Sequence, residues 1–382
     1  MHGANIIQSM PLYHSSASVL GFAAVLHSGA AICIGKKFST KTFWAECRAS
    51  KATIIQYVGE TCRYLLAAPP EIDPVTGENL DKKNSVRMAM GNGLRPEIWN
   101  RFKERFGIDT IAEFYAATEG AGGSFNYSRN DYSRGAIGRN GFFGWLLLRN
   151  SWHIVELDWE TEAPWRDPVT GFCKKVQPGA PGEMLYKLDE TDISRTFQGY
   201  FNNKKSTEGK IMRDVFIKGD AYFRTGDVIS WDSFGRCYFN DRIGDTFRWK
   251  SENVSTSEVS EALGVHPAVQ EANVYGVQLP HHDGRAGCVA ITLSEKPSQA
   301  LMASLAEHAQ RTLPRYAVPL FLRLTKEMRR TGTNKQQKHV LRLQGVDPEK
   351  TEGDELFWLR GGTYVPFKRE DWEELRVGQV KL

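Results

Sequence analysis

The stretch VRMAMGNGLRPEIWNRFKERFGIDTIAEFYAATEG, residues 86–120, decides how the fold is read. VRMAMG is a short apolar run with strand character. PEIWNRFKERFG follows with Pro96 at its start, where the fixed φ suits a first helical turn and the missing N–H goes unmissed. DTIAEFY then reads as a second strand. Strand, helix and strand in this spacing argue a parallel sheet covered by helices, an α/β fold. The alternation continues upstream. Phe43, Trp44 and Cys47 sit at helical spacing, ATIIQYV (52–58) reads as a buried strand and ETCRYLLAA as a helix. PPEIDPVTGENLDKK between them and Val86 is a turn-rich loop. Val19 to Gly35 reads as a core helix followed by a core strand, too short and too polar to span a bilayer.

Downstream the pattern changes. From Gly120 to about Gly219, short strand candidates such as GEMLYKL lie among Gly, Pro, Asp and Asn turns, which argues a β-rich subdomain. A smaller α+β unit begins near Asp241. It reads as helix SEVSEALG, strands EANVYGV and GCVAITL, helix SQALMASLAEHAQRTL and strand PLFLRL. Ser255-Thr256-Ser257-Glu258 predicts a capping box, and Ser298 a cap on the later helix. From about Gly345 the sequence reads as a turn-rich, aromatic tail.

Composition narrows the function classes. Across 382 residues, 49 basic side chains face 45 acidic ones, a net charge of +4 with no block of one sign. That argues against an electrostatic nucleic-acid binder. The apolar share of 41 % is that of a globular chain. Six cysteines, at 33, 47, 62, 173, 237 and 288, form no CxxC pair. They suggest neither a disulfide scaffold nor a zinc site, and favour a reducing compartment. The opening residues lack the basic and apolar regions of a secretory signal.

Five short motifs stand in one order: GNGLRPEIW (91–99), FYAATEG (114–120), YFRTGDV (222–228), DRIGDTFRWKSENVSTSEV (241–259) and TGTNK (331–335). Singly each has a plain reading. Thr118-Glu119 is a helix cap with an early carboxylate, Tyr115 a core aromatic, Asp227 a turn aspartate, Arg242 a surface ion-pair partner and Lys335 a solvated lysine. Together, along essentially the whole chain, they resemble the adenylate-forming superfamily. FRWKSENVST, LPHHDGRAG and TGTNK are similar to its fatty-acid transport protein and very-long-chain acyl-CoA synthetase branch. PLYHSS (11–16), HPAVQEANVYGV (266–277), LPRYAVPLFLRL (313–324) and GGTYVPF (361–367) add to the likeness.

The resemblance implies a large AMP-binding domain over 1–240, a hinge at 241–245 centred on Gly244, a small mobile C-terminal domain over 246–345 and a tail over 346–382. It implies ATP, Mg²⁺ and CoA as cofactor and co-substrates, and a long- or very-long-chain fatty acid as substrate. By that likeness Asn92 and Gly93 flank adenine, Tyr115 offers it a ring, and Asp227 and Arg242 meet the ribose and phosphate. Thr118 meets the phosphate, Glu119 holds Mg²⁺, and Lys335 reaches the reacting carboxylate and α-phosphate. Lys250 and Ser251 lie on the CoA side, where Ser251 replaces the glycine usual in the superfamily. The Ser/Thr/Gly-rich phosphate loop of the family has no counterpart here, so the chain is expected to begin downstream of it. The alternatives are a non-catalytic lipid-handling or interaction protein built on such a synthetase, and a ligase for carnitine or short-chain acids.

Two further features remain. His14 in PLYHSS is expected to be an ordinary hydrogen-bonded histidine, with a gate on an acyl pocket as the other reading. GFFGWLLL (141–148), between Arg139 and Arg149, is expected to be a buried strand, with a lipid-facing segment as the other reading. No nucleic-acid partner and no transmembrane helix are expected, while peripheral membrane contact is. Val380-Lys381-Leu382 is similar to the peroxisomal Ser-Lys-Leu address. The implied location is intracellular and membrane-associated, at endoplasmic reticulum, lipid droplet or peroxisome.

Overall fold

The computed structural model describes residues 4–159, 161–250, 252–330, 336–351, 353–380 and 382, with the backbone alone for Phe142 and Trp145. The chain divides into two compact units, Met1–Phe239 and Asn240–Leu382.

The first unit is built on six strands: β1 (Asn5–Gln8), β2 (Ala31–Ile34), β3 (Ile54–Val58), β4 (Met88–Asn92), β5 (Thr110–Ala116) and β6 (Gly123–Ser128). Their spatial order is β2-β1-β3-β4-β5-β6. The first five run parallel and β6 returns antiparallel to β5. All five residues of β3 are buried, as expected of a parallel strand covered on both faces. The helix Pro96–Phe106 turns Ile98, Trp99, Phe102 and Phe106 inward and stops at Gly107, whose φ of 69° is left-handed. Phe106 stacks on Trp44 at 4.4 Å between ring centroids. Those rings join Cys47, Ile55, Leu65, Ala89 and Ile111 in one core.

Two glycines let the strand ends approach closely. A Cβ on Gly91 would stand 2.1 Å from the Tyr57 carbonyl oxygen, and one on Gly59 would stand 1.7 Å from the Gly93 carbonyl oxygen. Backbone thus lies directly on backbone where β3 and β4 end.

The reading of 19–35 as core helix and core strand is corrected. Ser16–Ala23 is a π-helix that runs into the α-helix Ala24–Ser28. Val19, Phe22, Leu26 and Ile34 are 59, 42, 70 and 58 % exposed. The reason is position in the sheet: among the described residues β2 pairs only with β1, so the sheet ends there and apolar side chains at its margin stay half covered.

The β-rich stretch forms a second, antiparallel sheet. Its order is Gly138–Arg139, Arg236–Arg242, Ala221–Trp231, Gly182–Lys187 and Trp152–Val155, with Ile211–Arg213 also on Ala221–Trp231. GFFGWLLL departs from the buried strand expected of it. Phe142–Leu148 is a helix, and Phe143, Leu146, Leu147 and Leu148 face solvent. The run holds no β-branched residue, and its leucines are strong helix formers.

The second unit is α+β. Its sheet runs Val269–Gln278, Arg285–Leu293, Phe321–Leu324, Glu355–Arg360 and Thr363–Pro366. The helix Gln299–Thr312 carries its expected cap, Ser298 Oγ accepting from the Leu301 N–H (3.2 Å). On Thr256–Gly264 the N-cap half of the expected capping box is present, Ser255 Oγ accepting from the Glu258 N–H (3.3 Å). The stretch 346–382, read as a tail, carries two of the five strands. Trp358, Phe357, Tyr364, Phe367 and Leu375 are buried in the same core as Phe321 and Val289. Burying one such side chain stabilises by about 1.5–3 kcal/mol, against about 5–15 kcal/mol for a whole domain. A chain ended after residue 345 is therefore expected to lose the cooperative thermal transition of this unit. Calorimetry of the truncated and full chains checks this; an unchanged second-unit transition would return residues 346–382 to the status of a tail.

Candidate active site

Three strands of the first unit deliver the candidate residues. Asn92 ends β4 and Gly93 follows it with φ +75°; Tyr115 lies near the end of the parallel neighbour β5. Thr118 and Glu119 occupy the turn from β5 to β6, closed by the Gly120 N–H on the Ala117 carbonyl (3.0 Å). This turn replaces the helix cap considered for the pair. The carboxyl ends of parallel strands are where open α/β sheets bind ligands.

The third contributor is Ala221–Trp231 of the second sheet. Its register against Gly182–Lys187 shifts between Glu183 and Leu185, so extra residues bulge at Thr225-Gly226-Asp227. A bulge redirects a side chain. Here Gly226 takes φ +76°, and Asp227, buried on a strand rather than exposed in a turn, receives the Tyr115 hydroxyl on Oδ2 at 2.6 Å. Burial and the neighbouring Asp227 carboxylate raise the Tyr115 pKa and keep the phenol protonated.

The bulge is held from below by residues not singled out in the sequence. Glu183, fully buried, accepts from the Gly226 N–H (3.1 Å) and from Arg224 Nε and Nη2 (3.1 and 2.7 Å). Thr225 Oγ1 donates to the Met184 carbonyl (2.7 Å) and accepts from the Asp227 N–H (3.1 Å). Glu119 is oriented by Tyr200, whose hydroxyl donates to Oε1 at 2.8 Å and whose own pKa burial and this bond push up to about 12. Thr118 Oγ1 and Ser15 Oγ lie 3.2 Å apart, which brings the PLYHSS loop to the same turn. His14 Nδ1 is 2.6 Å from Ser16 Oγ and accepts from the Ser16 N–H at 3.2 Å, the bonding expected of an ordinary histidine.

The Asn92-Gly93-Leu94 loop is supported by a second buried acid. Buried Glu113 accepts from the Gly93 N–H and, at 3.2 Å, the Leu94 N–H, while the Tyr57 hydroxyl bonds its other oxygen. Above this support the Asn92 Oδ1 is buried without a hydrogen-bond partner among the described residues. An unpaired buried acceptor is costly, so this position suits a ligand that donates an N–H, as an exocyclic amine does.

In the second unit, Arg242 ends its strand and Gly244 has φ +84°. The segment around them is fixed within that unit. Asp241 accepts from the Arg242 N–H (2.9 Å), the Thr256 N–H (2.6 Å) and Thr246 Oγ1 (3.2 Å). Asp245 pairs with Arg342 and with Lys338 (3.0 Å). Lys250 has φ +50°, and its ammonium stands 5.8 Å from the Trp249 ring centroid. Ser251 and Lys335 lie outside the described residues. The structure thus brings Asn92, Gly93, Tyr115, Thr118, Glu119 and Asp227 together in one unit and sets Arg242, Gly244 and Lys250 in the other. Among the described residues no group of three or more His, Cys, Asp or Glu could hold a metal by itself. One carboxylate with ordered hydroxyls suits Mg²⁺, which takes one or two protein carboxylates and completes its shell with phosphate and water.

Burial moves the Glu113 carboxyl from 4.5 up to about 8, against the lowering by its hydrogen bonds. The folded chain therefore keeps this proton to a higher pH than the unfolded chain does. Its contribution to stability is complete below about pH 4.5 and is lost as pH rises toward 8. Glu113→Gln cannot titrate. The melting temperature of the variant relative to wild type is expected to rise from pH 5 to pH 8 in thermal melts, whereas a constant difference would mean an unshifted carboxyl.

Comparison with known proteins follows the same lines. The family profile described as AMP-binding enzyme matches residues 2–201, more than half of the chain, and the AMP-binding enzyme C-terminal domain matches 258–335. A very long-chain fatty acid transport protein of Cochliobolus heterostrophus is 42 % identical over 377 residues, covering 98 % of this chain and 57 % of that protein. Isopenicillin N epimerase component 1 of Hapsidospora chrysogena is also 42 % identical, covering 98 % of this chain and 62 % of its own length. The chain thus spans about three-fifths of the relatives it matches. Among solved structures, the o-succinylbenzoate CoA synthetase of Bacillus subtilis, in complex with its acyl-adenylate intermediate, superposes with a TM-score of 0.65 at 21 % identity. The match covers 89 % of this chain and 61 % of that one. Its likeness is one of fold. The chain belongs to the AMP-binding enzyme family.

Proposed function

We propose that the protein of which these residues form the AMP-binding and C-terminal parts is an ATP-dependent ligase. It joins a long- or very-long-chain fatty acid to CoA through an acyl-adenylate. The observation that carries this reading is the cluster at the ends of β4 and β5: an unpartnered buried Asn92 oxygen, the Tyr115–Asp227 pair and the Tyr200-oriented Glu119. An amine donor, a pair of ribose hydroxyls and a metal-bound phosphate are the groups these side chains suit.

In the first half-reaction a carboxylate oxygen of the acid attacks the α-phosphorus of ATP, the bond to the β-phosphate breaks, and pyrophosphate leaves. Two anions meet in this step, so positive charge must be supplied where they meet. Lys335 and Arg242 are the cations assigned to it. Mg²⁺ on Glu119 would screen the phosphate oxygens. In the second half-reaction the CoA thiolate attacks the acyl carbon and AMP departs. The Lys250-Ser251 segment is assigned to the thiol side. Asn92, Gly93, Tyr115 and Asp227 hold the nucleotide through both steps. The fatty-acid class rests on relatives' names, and a relative of the same identity bears the name of an epimerase component. An acid panel from short to very long chains, carnitine included, therefore belongs in the assay.

AMP binding by calorimetry tests the nucleotide site directly in this chain. Asp227→Ala is expected to weaken it about tenfold or more, since a hydrogen bond to a charged group contributes ~1.5–3 kcal/mol. Wild-type affinity in the variant would remove Asp227 from the site. Lys335→Ala in the complete protein is expected to depress fatty-acid-dependent pyrophosphate release far more than thioester formation from supplied acyl-AMP. Equal loss of both would withdraw the role given to Lys335.

A further inference from the structure

The helix Phe142–Leu148 takes no part in the site described above, yet its sequence, FFGWLLL, is wholly apolar. Phe143 is 77 % and Leu147 81 % exposed, and Leu146 and Leu148 are exposed beside them. Among the described residues a Cβ on Gly144, within the helix, would meet only the Asn140 Cβ at 3.6 Å. Contiguous exposed apolar side chains on one short element mark an interaction site.

The surroundings give the chemistry of the partner. From 132 to 155 three arginines (134, 139 and 149) precede or follow the helix in sequence and no acid occurs, while Arg129 pairs with Asp109 at 3.7 Å. The Arg139 guanidinium lies 4.8 Å from the exposed Tyr132 ring centroid. Arg236 lies 4.8 Å from the same ring and 5.2 Å from the exposed Phe234 ring, and Asp232 pairs with it at 2.6 Å. Apolar side chains beside a band of arginine and aromatic rings suit the boundary between lipid headgroups and acyl chains. Seven residues rise about 10 Å, so the element lies in that boundary and does not cross it. No helix among the described residues is long and apolar enough to cross a membrane. Area argues against a second copy as the occupant. Four partly exposed side chains offer on the order of a few hundred Å², short of the roughly 800 Å² per partner of a stable protein interface.

We infer that Phe142–Leu148, with the arginines around it, is a membrane-contact element that seats this chain on an anionic lipid surface. Hydrophobic insertion supplies the grip and the arginines select the negatively charged leaflet. The inference does not depend on the acyl-CoA ligase reading.

Vesicle co-sedimentation of the full chain tests it. Phosphatidylcholine vesicles are compared with and without phosphatidylserine, at low and high salt. Wild type is expected to bind the phosphatidylserine vesicles and to lose binding as salt rises. Leu147→Glu, and separately the double change Phe143→Ser with Leu147→Ser, should lower binding by about tenfold or more. Melting temperatures should stay unchanged, because these side chains are exposed. Leu147→Phe, which keeps the apolar surface, should bind as wild type does. Absence of wild-type binding, or equal binding by the Glu and Ser variants, overturns the inference. So does light scattering that shows wild type as a dimer which the same variants dissociate, since the face would then be a protein interface.

Discussion

The Glu113 carboxyl group joins three neighbouring strands at the point where the site is built. It stands on β5, receives two N–H groups from the loop that ends β4, and meets the Tyr57 hydroxyl from β3. A buried carboxyl away from water is tolerated only when its oxygens are engaged, so the group and the loop fix each other. The backbone contact of Gly59 with Gly93 leaves that loop no room to sink, and Glu113 leaves it no freedom to lift. Asn92 is thereby held with its oxygen unsatisfied, and the amine-accepting part of the proposed nucleotide site rests on that placement.

Glu183 repeats the device in the other sheet. It lies beneath a bulged strand and accepts the Gly226 N–H together with the Arg224 guanidinium. Both acids act on backbone that carries the ligand-facing residues, and neither is itself assigned to a ligand. The site therefore has two tiers: ligand-facing groups whose chemistry is familiar, and buried acids that set their aim.

Much of this was legible in the sequence. Alternating apolar runs marked the parallel sheet, because strands covered on both faces read as continuous hydrophobic stretches and Pro96 fixed the start of the intervening helix. The ordered motifs marked Asn92, Gly93, Tyr115, Thr118, Glu119 and Asp227, which the fold gathers. Glu113, Glu183 and Tyr200 were missed because their partners are distant in sequence. A signal existed for the first two: a lone acid inside the apolar strands TIAEFY and GEMLYK must find partners when buried. GFFGWLLL misled because a short apolar run has no period to separate helix from strand. The end of the chain looked like a tail because its most visible feature, Gly361-Gly362, is the turn of a hairpin whose strands complete a sheet.

That hairpin has a consequence for the order of events during synthesis. Phe321–Leu324 is an interior strand only once Glu355–Arg360 has arrived beside it. At roughly 5–20 residues per second, a growing chain leaves that edge open for on the order of seconds. Meanwhile Trp358 and Leu375, which close the core, are not yet made. The first unit can complete its sheet while the ribosome is still reading the second. The second unit must wait for residues 355–375, and until they arrive its open strand edge can pair with the wrong partner.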